Sequence, residues 1–174
     1  MKIQKLKPSR INNRINVIFD DNSYLPLFVD DVVKNNLKIG YDVDYSLLKD
    51  LSTKYLVKEY ALRQIALSPK TAIILKRKIQ QKFRDFNPDE IIENLKPYLN
   101  EQKFIEYFIN KFKKKSNREI EYRLKMLGIK YHSTISDLEK IKNLIKKKKN
   151  ISISALIARG FAYSDIKSVF ANLE

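Results

Sequence analysis

The feature that most constrains this fold is an apolar repeat every three to four residues, running from about Ser52 to the carboxyl end. Such a period places the apolar side chains on one face of a helix. Only three glycines and five prolines interrupt the 174 residues, so turn signals are scarce. Hydrophobic residues make up 44% of the chain, which is enough for a packed core. The sequence therefore predicts a mainly α-helical fold of roughly eight helices.

Capping residues and prolines predict where the helices begin. Ser68-Pro69 and Asn87-Pro88 each combine a capping side chain with a proline suited to the first helical position. Asn100 and Ser116 open two further helices, and Gly128 is a plausible left-handed end for the second of these. Later helices are predicted from Thr134 to Lys148, around Ile153 with an end at Gly160, and over a last segment that contains Ile166 and Leu173.

The amino-terminal forty residues carry a different pattern. Arg14–Phe19 is rich in β-branched residues, and Tyr24–Phe28 is a second apolar run after the polar segment Asp20–Ser23. Two such runs around a short Asp/Asn turn predict a β-hairpin. Pro26 has no N–H to donate, so its strand is expected at a sheet edge. A short helix is predicted from Asp30 to about residue 35.

Two helical segments repeat a local pattern. Leu124–Ile129 and Leu156–Phe161 both read as Leu, three residues, Gly and a large apolar residue, and Leu75–Phe83 occupies an equivalent place without the glycine. The pattern predicts tandem three-helix repeats in an elongated, solenoid-like array. The expected segments are a hairpin with a short helix over 1–49, and helical repeats over 50–99, 100–134 and 135–174, the last of which is expected to be shortened.

The order and spacing of four segments resemble the RecX family along nearly the whole chain. The segments are Leu37–Gly40, Tyr60–Thr71, the pattern formed by Arg118, Ile120, Leu124, Gly128 and Ile129, and Ala158–Ile166. Ser68 stands where the family usually has arginine, and Ile74 where it has an acidic residue. The region between Ile129 and Asn150 is short, which predicts a fused or lost helix in the second or third repeat.

The resemblance implies a regulatory protein and not an enzyme. Proteins of that family regulate the RecA recombinase in DNA repair, homologous recombination and the SOS response. The resemblance implies that this chain lies in the groove of the RecA filament on DNA and bridges neighbouring protomers. It would thereby inhibit recombinase, ATPase and coprotease activity. A cytoplasmic monomer is expected.

The charge of the chain is the second strong feature. Lys and Arg number 35 against 20 Asp and Glu, a formal charge of +15. Such an excess attracts polyanions, including single- or double-stranded DNA. Two alternatives stay open: a general, non-sequence-specific DNA-binding helical protein, and a protein–protein adaptor whose lysines reflect A/T-rich codons. A membrane partner is not expected, because no long apolar run is present.

Basic residues recur on predicted helix faces. Lys70, Arg77 and Arg84 are seven residues apart, opposite an apolar stripe, and Arg118 and Lys125 share an outer face with a tyrosine. A lysine run ends at Lys149. The residues predicted to bind RecA or DNA are Lys70, Arg77, Lys78, Lys82, Arg84, Lys114, Arg118, Tyr122, Lys125, Lys146, Lys147, Lys148 and Arg159.

No pattern of residues predicts catalysis. The chain has no cysteine, so a disulfide or thiolate metal site is impossible. His132 is the single histidine, and it lies in a connector without metal-ligand partners. No glycine-rich phosphate loop or nucleophile motif occurs. No catalytic residue, metal or cofactor is therefore expected.

Overall fold

The fold was obtained as a computed structural model, which describes residues 1–10, 13–148 and 151–172. Nine α-helices, one 3-10 turn and three β-strands account for the regular structure of those residues. The prediction of a mainly helical chain with a small β element at the amino end is confirmed. Leu173, which was predicted to belong to the last helix, and Lys149 lie outside the described residues.

The strands form one antiparallel sheet at the amino end. β1 (Ile3–Pro8), β2 (Arg14–Phe19) and β3 (Tyr24–Phe28) lie in that order. The predicted hairpin is β2 and β3, in which Asn16 faces Pro26. Because β3 is an outer strand, Pro26 lies at a sheet edge, as predicted.

β1 was missed by the sequence prediction. Its alternation is weak because the pairing register shifts between Ile3 and Lys5. Ile3 is buried whereas Lys5 and Lys7 are exposed. The strand is therefore defined by its partner β2 more than by its own apolar pattern.

The helices follow the strands in chain order. Their bounds are α1 Val29–Lys34, α2 Tyr45–Leu67, α3 Ala72–Lys82, α4 Asp89–Leu95, α5 Glu101–Lys111, α6 Asn117–Lys125, α7 Asp137–Lys147, α8 Ile153–Ile157 and α9 Tyr163–Ala171, with a 3-10 turn at Lys96–Tyr98. Asn100 caps α5 by accepting from the Lys103 N–H, and Ser116 caps α6 by accepting from the Glu119 N–H. Both predicted helix starts are confirmed.

The helix start predicted at Ser68-Pro69 is wrong. Ser68 is an extended residue that ends α2, and α3 begins at Ala72. The Thr71 hydroxyl accepts from the Ile74 N–H at 3.3 Å, so a hydroxyl three residues further along supplies the cap.

The chain divides into two compact units. The first contains Met1–Ser68 and Leu75–Leu99, and the second contains Pro69–Ile74 and Asn100–Glu174. In the first unit, α2 packs on β3, and Phe19 is among the fully buried side chains. Burial of this apolar surface is the main source of the unit's stability.

The second unit contains two apolar clusters. One joins α5 to α6 through Phe104, Phe108 and Leu124. The other includes Ile141 of α7 and Ile166 of α9. The first of these clusters fixes the inner face of α6, and the face opposite it is left to solvent.

The ends of α6 and α8 share one geometry. In Leu124–Ile129 and Leu156–Phe161 the leucine carbonyl accepts from the amide five residues later, at 3.0 and 3.4 Å. Gly128 and Gly160 have φ of 78° and 87°. This is the helix end in which a left-handed glycine reverses the chain. The two segments that repeat in sequence therefore end their helices alike, and their place in a tandem three-helix array stays a prediction.

Candidate nucleic-acid interface

The positive charge is distributed unequally between the two units. Over the sequence ranges of the units, the second holds 18 Lys and Arg against eight Asp and Glu, and the first holds 17 against 12. The second unit thus carries +10 of the formal +15 although it is the shorter one. A polyanion is attracted most strongly to the second unit.

The second unit contains a groove of about 720 Å³ beside α6. One wall is α6 itself, which contributes Arg118, Glu121, Tyr122 and Lys125. The other wall is the segment 128–132, which follows the end of the helix. Three of the residues predicted from sequence to bind RecA or DNA are therefore brought together in one concave surface.

The inner packing of α6 determines which side chains face the groove. Ile120 and Leu124 are 1% and 0% exposed, so they fix the rotation of the helix. Arg118, Tyr122 and Lys125 are spaced by four and three residues and all three are exposed. Such spacing places neighbouring side chains on one helix surface. A cation, an aromatic ring and a second cation therefore follow one another along the wall.

Glu121 joins the two walls of the groove. Its Oε1 accepts from the Ser133 backbone N–H at 2.9 Å, and its Oε2 lies 3.9 Å from Nδ1 of His132. Lys130 lies on the wall opposite α6. The lining thus contains three Lys and Arg side chains and one carboxylate, and that carboxylate is already engaged in holding the second wall.

Arg123 belongs to α6 but does not line the groove. Its Nε donates to the Glu119 carboxylate at 2.6 Å, and its guanidinium lies 5.1 Å from the Phe112 ring centroid. The arginine is therefore engaged with α5 and with its own helix.

A polar joint anchors α7 against the first turn of α6. The Asn117 N–H donates to Asp137 at 2.8 Å, and the Lys140 ammonium donates to the Asn117 side-chain oxygen. Burial lowers the pKa of Lys140, and the nearby Asp137 and Glu121 carboxylates oppose that shift. Lys140 is thus a structural cation that helps to hold the helix of the groove.

A second basic concavity of about 600 Å³ lies in the first unit. Lys82 and Arg84, both predicted from sequence, line it together with Lys49 and Lys54. The Lys82 ammonium lies 4.5 Å from the Tyr60 ring centroid, a cation–π distance. This surface also contains two aspartates, so its positive charge is partly compensated.

The predicted seven-residue stripe of Lys70, Arg77 and Arg84 on one helix is wrong. α3 begins after Lys70 and ends before Arg84, so Arg77 is the one member inside the helix. Lys70 is 8% exposed, so it is a buried residue and not part of an outer helix face. The late start of α3 at the Thr71 cap is the physical reason.

The remaining predicted residues lie in varied surroundings. The Arg159 guanidinium donates to the Ala155 carbonyl at 3.2 Å, and the Arg159 carbonyl accepts from the Ser116 N–H at 3.0 Å. This arginine is half-buried and supports helix ends. Lys78 is half-buried, and Lys114, Lys146, Lys147 and Lys148 are exposed.

Comparison with known proteins finds a curated relative and a solved structure with a similar fold. No family model matches the sequence. The regulatory protein RecX of Clostridium tetani (strain Massachusetts / E88) is 29% identical, over 99% of this chain and 94% of that protein. A crystal structure of regulatory protein RecX has a TM-score of 0.55 at 15% identity and covers 98% of both chains. The chain is thus similar to regulatory protein RecX in sequence and in fold along nearly its whole length.

This similarity confirms the resemblance drawn from the four sequence segments. The curated RecX relative is named as a regulatory protein. Among the described residues, no helix is long and apolar enough to cross a bilayer. Within the same ranges, no three metal-ligating side chains of His, Cys, Asp or Glu come together.

Sequence reasoning missed the second wall of the groove beside α6. Lys130 and His132 lie outside any helix, so no helical period connects them with Arg118 or Lys125. The available signal was their position directly after the Gly128 turn, which returns the chain along α6. Lys49 and Lys54, which line the concavity of the first unit, were not among the predicted residues.

Proposed function

We propose that this chain, like the RecX family it resembles, binds RecA–DNA filaments and inhibits their recombinase, ATPase and coprotease activities. The observation that carries the proposal is the similarity to a regulatory RecX protein along nearly the full length of both chains. The formal charge of +10 carried by the second unit supports a polyanionic partner.

Inhibition follows if the chain binds assembled RecA differently from free RecA. A ligand shifts an assembly equilibrium by its difference in affinity for the two states. Each unit carries its own basic concavity, and both belong to one chain. Once one unit is bound to a filament, the effective concentration of the other rises, which favours substoichiometric action.

A second candidate function is general binding to DNA without RecA. The exposed Tyr122 between Arg118 and Lys125 favours it, because neither phosphates nor bases need RecA to contact that surface. Under this alternative, adding RecA to the DNA would not strengthen binding.

Co-sedimentation with RecA separates the two candidates. At physiological salt, we expect the chain to sediment with RecA, single-stranded DNA and a slowly hydrolysed ATP analogue, and to sediment far less with DNA alone. Binding to DNA alone that equals binding to the filament would contradict the RecA-specific proposal.

A matched pair of variants tests the role of the groove. Arg118→Gln with Lys125→Gln removes two charges from the groove, and Lys103→Gln with Lys167→Gln removes two exposed charges elsewhere in the same unit. Only the groove variant is expected to lose sedimentation with the filament. Equal losses would assign the effect to net charge.

A further inference from the structure

We propose that the groove beside α6 binds an unpaired nucleotide, whose base stacks on Tyr122 and whose phosphate contacts Arg118 and Lys125. The inference deepens the proposed function and rests on it for the class of partner, a nucleic acid. It adds that this surface distinguishes single strands from duplexes.

The first supporting observation is the exposure of Tyr122. Tyr122 is 60% exposed, so its ring is open to a partner. Arg118 is four residues before it and Lys125 three residues after it, both on the same wall. The helix therefore presents an aromatic face with a cation on either side.

Among nucleic acids, an aromatic face of this kind can stack only on a base that lies outside a duplex. In a double helix each base face is covered by its neighbours, so a protein reaches the phosphates and base edges. In a single strand the base can leave the stack and lie on an aromatic ring, while cations follow the phosphates. The cations of the groove can contact the phosphates of a single strand or of a duplex, whereas Tyr122 can stack only on a base of a single strand.

The second wall makes the groove a fixed cavity rather than a flat basic face. The Ser133 N–H to Glu121 hydrogen bond spans 12 residues of sequence and holds the segment 128–132 beside α6. The volume of about 720 Å³ is within the range of roughly 300–1,000 Å³ that small-molecule sites occupy. The groove is therefore large enough for a nucleotide and is formed before the nucleotide binds.

The groove carries only a modest excess of charge. Its Lys and Arg side chains outnumber its single carboxylate by two. A phosphate contact alone would thus give weak binding, and stacking on Tyr122 is expected to supply a substantial part of the affinity.

Fluorescence anisotropy without RecA tests the inference. The probes are a labelled 15-nucleotide oligothymidylate and a 15-base-pair duplex in low salt. We expect Tyr122→Leu to weaken binding of the single strand roughly 5- to 150-fold, the effect of losing one stacked base. Duplex binding is expected to change less than about twofold, and Tyr122→Phe is expected to keep single-strand binding, because the ring is retained.

Two controls keep the inference falsifiable. Tyr163 is 61% exposed in the same unit and does not line the groove, so Tyr163→Leu is expected to leave both affinities unchanged. Arg118→Gln with Lys125→Gln is expected to reduce the log–log salt slope for the single strand by about 1.4. Circular dichroism of each variant reports whether the fold is retained.

The outcomes separate this inference from the proposed function. If Tyr122→Leu changes single-strand affinity no more than Tyr163→Leu does, or weakens both probes equally, the nucleotide site is wrong. Inhibition of RecA by that same variant would then leave the proposed function standing. If the single-strand effect is found but the wild type leaves RecA turnover unchanged, the nucleotide site stands and the proposed function fails.

Discussion

Gly160 is expected to be the most sensitive glycine in the chain. Its φ is +87°, a conformation that costs a residue with a Cβ about 1–2 kcal/mol. A Cβ at this position would lie 2.8 Å from the Ser116 Oγ and 3.2 Å from the Glu119 Cβ. Ser116 is fully buried, and its hydroxyl caps α6 by accepting from the Glu119 N–H at 3.2 Å.

The cost of Gly160→Ala is the sum of backbone strain and damage to this cap. Loss of an N-cap costs about 0.5–2 kcal/mol, so the total is about 1.5–4 kcal/mol. Gly40 has φ +89°, and no atom lies within 4 Å of a Cβ added there. Gly40→Ala therefore measures the backbone strain alone, which is about 1–2 kcal/mol. At Gly128 the added Cβ meets the flexible end of Ile73 at 3.3 Å, so we expect an intermediate cost.

Urea denaturation followed by circular dichroism measures the three glycine variants. The expected order of destabilisation is Gly160→Ala, then Gly128→Ala, then Gly40→Ala. A double-mutant cycle isolates the cap: in a Ser116→Ala background, Gly160→Ala should cost mainly the backbone strain. The reasoning is refuted if Gly160→Ala costs the same in both backgrounds, or no more than Gly40→Ala.

Three other perturbations follow from the contacts described. The pKa of Tyr55 is raised above 10.0, chiefly by burial and to a smaller extent by the Glu59 carboxylate. The phenol therefore keeps its proton to a higher pH in the folded state than in the unfolded chain. Stability is then lost as pH rises above 10, and Tyr55→Phe should flatten that loss in urea titrations; an unchanged slope would contradict the burial argument. Because Lys70 is buried, Lys70→Gln should lower the free energy of unfolding by about 1–2 kcal/mol. Because Arg77 is exposed, Arg77→Gln should change the free energy of unfolding by no more than about 0.5 kcal/mol. Equal costs in thermal unfolding would show that Lys70 has no packing role. Glu121→Gln keeps an oxygen that can accept from the Ser133 N–H, and it removes the negative charge of the carboxylate. Oligothymidylate should therefore bind up to about fivefold more tightly to this variant. Weaker binding would show that the phosphate lies elsewhere.

Local signals in the sequence predicted much of the fold. Asn100 and Ser116 were identified because a cap acts on the amide three residues later, within the same turn. The β2–β3 hairpin could be predicted for a similar reason, since its turn and both strands are contiguous. Where the information is contained in one short stretch, sequence reasoning was sufficient.

The misplaced start of α3 shows how two local signals compete. Ser68-Pro69 and Thr71 are three residues apart, and both offer a hydroxyl suited to a cap. The structure uses Thr71, and Ser68 ends α2. Because α3 begins later than predicted, Lys70 lies before the helix and is buried, whereas the sequence predicted it on an outer helix face. An error of three residues in one helix start thus placed a buried lysine among the candidate binding residues.

The groove was half predictable. Arg118, Tyr122 and Lys125 follow a helical period and could be placed on one face. The second wall depends on the Glu121 to Ser133 hydrogen bond and on the turn at Gly128, which bring a connector back along its own helix. No periodic pattern encodes such a contact, and β1 was missed for the related reason that its pairing with β2 defines it.

The most direct test of the central claim is ATP turnover by preformed filaments of RecA on single-stranded DNA. Adding this chain at amounts well below that of RecA is predicted to lower the turnover rate progressively. The groove variant Arg118→Gln with Lys125→Gln is predicted to lower it less than its charge-matched control does. A turnover rate that stays constant up to equimolar wild-type protein would contradict the assignment of this chain as a RecA regulator.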